Sequence, residues 1–206
     1  MSVTRFPDAV KLIVSIIAVS AEQMDAVIGQ LAERYGVPDV VSALHGFHYT
    51  DYYAPEMGSS LIRRFLSFRT LIRPELLPEI KLATNHMENE RSEGAKRLVN
   101  LDPGYISSAH LILATGKGYT HRPYLRRGIY ADLTLVFQDK TFHPLPWTYP
   151  DYADARQITF LNRIRQRYIT QLRQGEGNEL KHDVWEADES GRLPAEQIAK
   201  NGNNYD

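Results

Sequence analysis

The pattern of apolar and polar positions predicts a strand, a helix and two further strands at the start of the chain. Val10–Ala18 is apolar on both faces, which is typical of a central strand. Ala21–Tyr35 repeats apolar positions at helical spacing, and Ser20 with Gln23 fits a capping box at its start. Residues 42–53 alternate like a strand that runs into a loop at residues 54–58, and residues 62–69 alternate as another strand.

A second helix and a fourth strand complete a recurrent order. Pro74 suits the first turn of a helix, and an apolar stripe follows it. Lys81, Asn85 and Glu88 share one flank of that helix, which either faces solvent or lines a site. Residues 98–102 alternate as the next strand. This order predicts an α+β fold with a ferredoxin-like βαββαβ core.

The pattern beyond this core predicts an extension by a β-hairpin and a C-terminal helix. A serine cap at position 107 or 108 fits a short apolar helix over residues 109–115. Residues 129–137 and 141–145 have the alternation and spacing of a hairpin. Residues 154–174 carry an apolar stripe beside a basic flank and predict the final helix.

Two of the predicted strands carry polar side chains where apolar ones would pack more easily. Asn100 and Asp102 share one face of their strand, and Tyr130 and Asp132 share one face of theirs. We therefore predict a polar site on a sheet. Structural interpretations remain open: residues 102–105, Asp-Pro-Gly-Tyr, fit a turn, Asn100 can tie down a neighbouring loop, and Asp132 can face water on a half-exposed sheet.

Composition is that of an ordinary soluble globular protein. The 206 residues have a formal net charge of −1 and no cysteine, which excludes disulfides, thiolate metal sites and cysteine nucleophiles and fits a reducing cytoplasm. Residues 12–19 resemble part of a signal peptide, but we interpret them as a strand, and they are too short to span a bilayer. Residues 1–174 suit one domain, and the polar, acidic composition of residues 175–206 predicts a disordered tail.

The common catalytic and nucleotide-binding motifs are absent. The Gly-Lys-Gly run at residues 116–118 resembles a phosphate-binding loop, but Leu111 stands where that motif needs glycine and no Ser or Thr follows the lysine. The chain has neither His-Glu-x-x-His nor Gly-x-Ser-x-Gly. Asp102, Asp132 and Glu56 are candidate oxygen ligands for a divalent metal if the fold brings them together.

Four longer segments carry a resemblance to a known family. They are Phe-His-Tyr-Thr-Asp-Tyr-Tyr-Ala-Pro-Glu-Met-Gly at residues 47–58, Val-Asn-Leu-Asp-Pro-Gly-Tyr at 99–105, the run at 128–133, and Pro-Trp-Thr-Tyr-Pro-Asp-Tyr at 146–152. Together they resemble the bacterial and archaeal domain-of-unknown-function 4416 family, over about residues 8–173. The resemblance implies a folded, recurrent domain without an established activity, although some relatives carry a GTP-binding label. Asp132 stands where the family usually has Glu, which keeps the carboxylate and changes its reach.

The sequence favours a binding site for a small anionic or phosphorylated metabolite and leaves open whether the protein is an enzyme. In an enzymatic version, Asp102 is a general base or metal ligand and His121 a general acid. Arginine forks nearby suit a phosphate or carboxylate. The predicted ligand-binding residues are Asn100, Tyr105, Arg122, Tyr130, Asp132, Glu56 and Tyr52.

Other kinds of function remain as alternatives. The proline- and aromatic-rich segment at residues 144–152 is typical of a protein–protein interaction module. GTP binding without a phosphate loop is a further alternative. The basic flank of the final helix is a weak signal for nucleic acid, because the whole chain is close to neutral. No membrane partner is expected, and the oligomeric state is not predicted.

Overall fold

A computed structural model describes residues 3–94 and 96–175 of the chain. The predicted tail therefore lies outside the described residues, apart from Gly175. The helices and strands, in chain order, are β1 (Val10–Ala18), α1 (Ala21–Tyr35), β2 (Pro38–Val41), β3 (His45–Phe47), α2 (Ala54–Met57), β4 (Leu61–Ile72), a 3-10 turn (Pro74–Leu76), α3 (Leu77–Glu90), β5 (Ser92–Glu93), β6 (Lys96–Arg97), β7 (Val99–Ile106), β8 (His110–Thr115), β9 (Tyr124–Arg126), β10 (Ile129–Gln138), β11 (Thr141–Pro144), α4 (Pro150–Ala153) and α5 (Ala155–Gln174).

One antiparallel sheet contains nine of these strands. Its order is β11-β10-β8-β7-β1-β4-β2, with β3 also paired to β4 and β9 to β10. Strands β5 and β6 form a separate two-stranded ribbon. The expected α+β class with an antiparallel sheet is confirmed, and so are the hairpin of β10 with β11 and the final helix. None of the helices in the described ranges is long and apolar enough to cross a membrane.

Strand β1 lies at the centre of the sheet, and all nine of its residues are buried, as its pattern predicts. Its two faces belong to different cores because successive side chains point in opposite directions. Leu12, Val14 and Ile16 pack with α1 and α3, whereas Ile13 packs with α5. The sheet therefore separates two layers of helices. Helices α4 and α5 cover the face of β1 that also carries Ser15.

A buried ion pair joins β1 to the last helix. The Lys11 ammonium, which is fully buried, donates to Asp39 at 2.5 Å and to Gln171 at 2.5 Å. Asp39 also accepts from Ser67 at 2.7 Å and from Arg167 at 2.8 Å. Burial lowers the pKa of Lys11. Burial opposes ionisation of Asp39, but its hydrogen bonds from Lys11 and Ser67 outweigh that effect and lower its pKa.

Removing one partner of this pair should be costly. Asp39→Ala leaves the Lys11 ammonium buried without its counterion, so we expect a loss of about 3–5 kcal/mol in the free energy of unfolding, measured by urea titration. The double variant Lys11→Met/Asp39→Ala should recover most of this loss, because it leaves no buried charge behind. A loss below about 1 kcal/mol for Asp39→Ala would contradict the pairing.

The helix predicted at residues 109–115 is wrong, because these residues form strand β8. Both edges of β8 are paired, with β7 on one side and β10 on the other. The Ser107 side chain accepts from the backbone of Ala109 and His110 in the tight turn that precedes β8, so the serine signal marks a turn rather than a helix start. A six-residue apolar run has no helical or strand periodicity of its own, and pairing with two neighbours decides its structure.

The predicted turn at residues 102–105 is also wrong, since these residues continue β7. Pro103, which has no N–H to donate, comes where the ladder between β7 and β8 ends. Gly104 begins that ladder, and a Cβ there would lie 2.4 Å from the Ile112 carbonyl oxygen and 2.7 Å from Leu113 Cδ2. The Pro-Gly pair therefore ends one strand pairing and allows a close backbone approach, instead of reversing the chain.

Three other local predictions need correction. Within residues 42–53 only β3 is extended, while β2 begins earlier, at Pro38. Residues 54–58 contain the short helix α2 rather than a loop. Pro74 begins a 3-10 turn, and α3 follows from Leu77. Pairing with β4 decides where β2 and β3 lie, and packing decides the other two boundaries.

The close approach at Gly104 predicts a sharp contrast between two glycines. Gly104→Ala should destabilise the protein by about 1–3 kcal/mol, because its methyl group collides with backbone. Gly29→Ala, on an exposed position of α1 with nothing within 4 Å, should stabilise it by about 1 kcal/mol. Thermal and urea unfolding of both variants check this expectation, and equal effects would argue against the tight β7–β8 contact.

Candidate functional site

The sheet splits between β7 and β8, and a cavity lies in the split. Strand β7 pairs with β1 from Val99 to Ile106, but it pairs with β8 only from Gly104 to Ile106. Helix α3 packs against β7, and residues of α3, β7 and β8 line a cavity of about 340 Å³. That volume lies at the lower end of the range of about 300–1,000 Å³ typical of ligand pockets.

Two side chains of α3 take the place of the missing strand partner. Glu88 Oε1 accepts from the Leu101 backbone N–H at 2.6 Å, and Lys81 Nζ donates to the Leu101 carbonyl oxygen at 2.7 Å. Both backbone groups would be unpaired without them, and an unpaired buried backbone group is costly. The same Lys81 Nζ lies 3.9 Å from Asp102 Oδ1 and 4.0 Å from Glu88 Oε1. The flank predicted to face solvent or a site therefore forms the floor of the cavity.

A chain of hydrogen bonds runs along β7 on one wall. Arg97 Nη1 donates to Asn100 Oδ1 at 3.0 Å, and Asn100 Nδ2 donates to Asp102 Oδ2 at 2.8 Å. Arg97 Nε also donates to Glu56 Oε2 at 2.7 Å. Arg97 Nη1 lies 3.5 Å from Glu88 Oε2, which joins this wall to the floor. The arginine thus orients the Asn100 amide, and the amide orients the Asp102 carboxylate.

The opposite wall is organised by Arg122 and Asp132. Arg122 Nε donates to Asp132 Oδ2 at 2.8 Å, and Arg122 Nη2 donates to the Tyr149 hydroxyl at 2.8 Å. Asp132 is only 4% exposed, so the interpretation of this residue as solvent-facing is wrong. A shift in register between Leu133 and Leu135 interrupts the alternation of β10, and Thr134 is also fully buried. The carboxylate is stable in this position because a cation covers it.

Arg63 on β4 holds α4 over the cavity. Its guanidinium forms an ion pair with Asp151 of α4, donates to the Ser15 hydroxyl at 3.1 Å, and lies 4.2 Å from the Phe65 ring centroid and 5.0 Å from that of Tyr152. A planar guanidinium suits this mixture of aromatic faces and oxygen acceptors. Burial raises the pKa of the Tyr152 hydroxyl, so this phenol stays neutral beside the cation.

An exposed contact spans the mouth of the cavity. Lys117 Nζ donates to the Tyr52 hydroxyl at 2.5 Å and lies 4.5 Å from the centre of its ring. Tyr52 is 60% exposed, and the two residues are 65 positions apart in sequence. Burial raises the pKa of the neighbouring Tyr53, whose ring lines the cavity behind this contact.

Glu88 differs electrostatically from an ordinary surface carboxylate. Burial raises its pKa, and the nearby Asp102 charge adds to that effect. Lys81, the Leu101 N–H and Arg97 act in the opposite direction, without cancelling the rise in pKa. The carboxyl group therefore takes up a proton at a higher pH than an exposed glutamate does.

The comparison with known families covers this whole site. The family described as a domain of unknown function (DUF4416) matches residues 8–168, which is more than three quarters of the chain. The chain belongs to the DUF4416 family. Every residue that lines the cavity lies inside the matched range, and the resemblance given by the four sequence segments is confirmed. No curated protein and no solved structure matches the chain.

Five of the predicted site residues of this DUF4416 protein line the cavity: Tyr52, Asn100, Asp102, Arg122 and Asp132. They come from four separate stretches of the chain. The fold therefore brings together Asn100 and Asp102 of β7 with Asp132 of β10, three polar positions that alternation singles out.

Four other predicted residues lie outside the cavity wall. Glu56 accepts a hydrogen bond from Arg97, which itself lines the cavity. Tyr105 packs against apolar clusters, and Tyr130 packs against Tyr124 with ring centroids 5.3 Å apart. His121 stacks on Trp147, and its Nε2 lies 3.6 Å from Asp132 Oδ2 and has no hydrogen-bond partner among the described residues.

The three candidate metal ligands do not come together as a metal site. Glu56 binds Arg97, Asp132 binds Arg122, and Asp102 binds Asn100. Across residues 3–94 and 96–175, no group of three or more His, Asp or Glu side chains has the arrangement of a metal centre.

Sequence reasoning missed several residues of the site. Arg63 and Asp151 meet only through the packing of α4 on the sheet, and no local pattern marks them as partners. Lys117 belongs, in the sequence, only to a phosphate-loop motif that it does not complete. The signal that could have found Arg63 is its place on the same strand face as Phe65, since a charge beside a buried aromatic residue needs a buried partner.

The raised pKa of Glu88 predicts a pH-dependent gain from Glu88→Gln. The native carboxyl binds its proton more tightly than the unfolded one, so wild-type stability falls as pH rises from the ordinary value of 4.5 through the raised native value. The neutral glutamine lacks this loss. We therefore expect the Glu88→Gln variant to become more stable relative to wild type as the pH rises from about 4 to about 7. The gain in the free energy of unfolding should be about 1.4 kcal/mol for each tenfold difference in proton affinity between the native and the unfolded Glu88 carboxyl group.

Urea unfolding at several pH values measures this difference. Glu33→Gln, at an exposed position of α1, is the matched control and should follow the wild-type curve. A Glu88→Gln variant that loses stability relative to wild type as pH rises would contradict the raised pKa.

Proposed function

We propose that the split in the sheet binds a small anionic metabolite, with a phosphate or carboxylate group as its acidic part. The observation that carries the proposal is the convergence of cationic side chains on one cavity. Four carboxylates line the cavity as well: Glu88, Asp102, Asp132 and Asp151. The cationic side chains outnumber these carboxylates by one. The five cations are Arg63, Lys81, Arg97, Lys117 and Arg122.

Some of the cationic donors have no partner among the described residues. Arg63 bonds through Nε and Nη1, and Arg97 does likewise, so Nη2 of each forms no hydrogen bond with a described residue. Lys81 makes one short bond, to a backbone oxygen, and its two carboxylate neighbours lie near 4 Å. Fixed donors of this kind suit the several oxygen atoms of a phosphate or carboxylate. Their existing partners hold them in place before the ligand arrives, which lowers the cost of binding.

The size of the cavity supports a small ligand. At about 340 Å³ it favours a metabolite over a nucleoside triphosphate, so GTP binding is the weaker alternative. For an enzymatic version of this function, Asp102 is the proposed general base, because its carboxylate reaches the cavity and is held by Asn100.

The segment at residues 144–152 supports the interaction-module alternative less than its composition suggests. Trp147 Nε1 donates to the Leu133 carbonyl oxygen at 2.8 Å, and the Thr148 hydroxyl donates to the Thr134 carbonyl oxygen at 2.5 Å. Tyr149 binds Arg122. These aromatic residues thus pack on their own chain, and Tyr149 also lines the cavity.

The arrangement of strands supports a finer statement about the fold. We propose that β7, β1, β4 and β2, with α1 and α3, form a ferredoxin-like core. Counting β2 with β3 as one broken strand, the four strands stand in the spatial order fourth, first, third, second, and all pairs are antiparallel. The cavity then lies where strand β8 extends this core.

Arg97→Gln tests the proposed function. We expect wild type to be stabilised by inorganic phosphate, phosphate monoesters or small dicarboxylates, by about 2.7 kcal/mol at 100 times the dissociation constant. Arg97→Gln should weaken binding of the same anion at least tenfold, because it removes a charged donor from the wall. Thermal shift followed by titration calorimetry measures both effects.

Arg91→Gln is the matched control. Arg91 follows α3 and bonds Gln30 and Gln23 rather than any residue of the cavity. It should therefore bind the anion as wild type does. Equal losses in both arginine variants would point to non-specific attraction by charge, and no stabilisation by any anion would remove the proposed function.

A further inference from the structure

We propose that the bound anion also carries a hydroxyl group, and that Asp102 is the residue that selects for it. This inference rests on the proposed function, because it concerns the second half of the same ligand. It narrows the ligand class to hydroxylated anions, such as polyol phosphates and hydroxy acids.

The orientation of Asp102 is the first argument. Asn100 Nδ2 donates a hydrogen bond to Oδ2 of the carboxylate, and Arg97 determines which end of the Asn100 amide faces Asp102. The other oxygen, Oδ1, accepts no hydrogen bond from a described residue. Its nearest cation, Lys81 Nζ, is 3.9 Å away and is held by the Leu101 carbonyl oxygen. One carboxylate oxygen is thus fixed with a lone pair available to the cavity.

Each of the other three cavity carboxylates accepts from an arginine and is more buried than Asp102. Glu88 accepts from Leu101 through Oε1 and from Arg97 through Oε2. Asp132 accepts from Arg122 through Oδ2 and from Thr134 at 3.4 Å through Oδ1. Asp151 is in direct contact with the Arg63 guanidinium, and only 12% of its side chain is exposed. The Asp102 side chain is 31% exposed, so it is the carboxylate that a ligand reaches most easily.

The surroundings of Asp102 indicate which group it would bind. A carboxylate accepts hydrogen bonds and repels a second anion, so the ligand must present a donor at Oδ1. Lys81 lies next to it to hold the ligand's acidic group, and the separation of 3.9 Å allows both groups to sit on neighbouring carbon atoms. Asn85, one helical turn after Lys81 on α3, also lines the cavity and forms no hydrogen bond with a described residue, so its amide is available to a further hydroxyl.

Pairs of anions that differ only in their hydroxyl groups test the proposal. The probes are glycerol 3-phosphate against propyl phosphate, and malate against succinate, each titrated calorimetrically into wild type and Asp102→Asn. A charged acceptor left without its donor is costly, so wild type should prefer the hydroxylated member by about tenfold or more. In Asp102→Asn that preference should fall to about threefold or less, because the charge that strengthens the bond is gone.

The controls separate this inference from the proposed function. Asp51→Asn, an exposed aspartate that does not line the cavity, should keep the wild-type preference. Thermal unfolding of Asp102→Asn checks that the variant folds, and if it does not, the wild-type preference alone decides. Equal binding of both members of each pair by wild type would overturn the inference and leave the anion site standing. A preference that survives in folded Asp102→Asn would overturn the role of Asp102. Failure of every anion to bind would overturn both proposals.

Discussion

The two hydrogen bonds that α3 makes to the backbone of Leu101 are the constraint on which the cavity depends. A strand in the middle of a sheet normally satisfies its N–H and C=O groups with two neighbours, and losing one of them leaves costly unpaired groups. Here Glu88 and Lys81 supply that second set of bonds from a helix. Strand β7 can therefore separate from β8 at the residues before Gly104 while both backbone groups of Leu101 stay paired. The space that the sheet would have filled becomes a cavity.

The residues that hold the split open are also the ones that would meet a ligand. Each buried charge on the walls has an opposite charge or a hydrogen-bond partner, because an isolated buried charge would be too costly to keep. Arg63 ties α4 to β4, and Arg122 ties β10 to Tyr149. Stability and recognition thus share the same side chains. The donors and the acceptor that remain unused within this network give the cavity its affinity for an anion with hydroxyl groups, as we propose.

Local patterns in the sequence predicted much of the fold, and five of the nine predicted site residues line the cavity. Strand β1, helices α1 and α5 and the β10–β11 hairpin follow from periodicity, and Ser20 caps α1 as expected, accepting from Gln23 at 3.2 Å. Alternation also singled out Asn100, Asp102 and Asp132, which do line the cavity. It failed for Tyr130, and the Asp-Pro-Gly-Tyr motif failed for Tyr105, because a local pattern does not show on which side of a wall a ring packs.

The sequence by itself determined that β1 is extended and central, that α1 and α5 are helical, and that β7 and β10 carry polar groups, because these features follow from side-chain direction over a few residues. Only the tertiary structure decided that residues 109–115 pair as a strand, that Asp-Pro-Gly-Tyr ends a ladder instead of forming a turn, and that Lys117 meets Tyr52 across 65 positions. Arg63 and Asp151 are 88 positions apart. Such contacts depend on how whole elements pack together, and no local pattern encodes the distance between two residues that far apart in the chain.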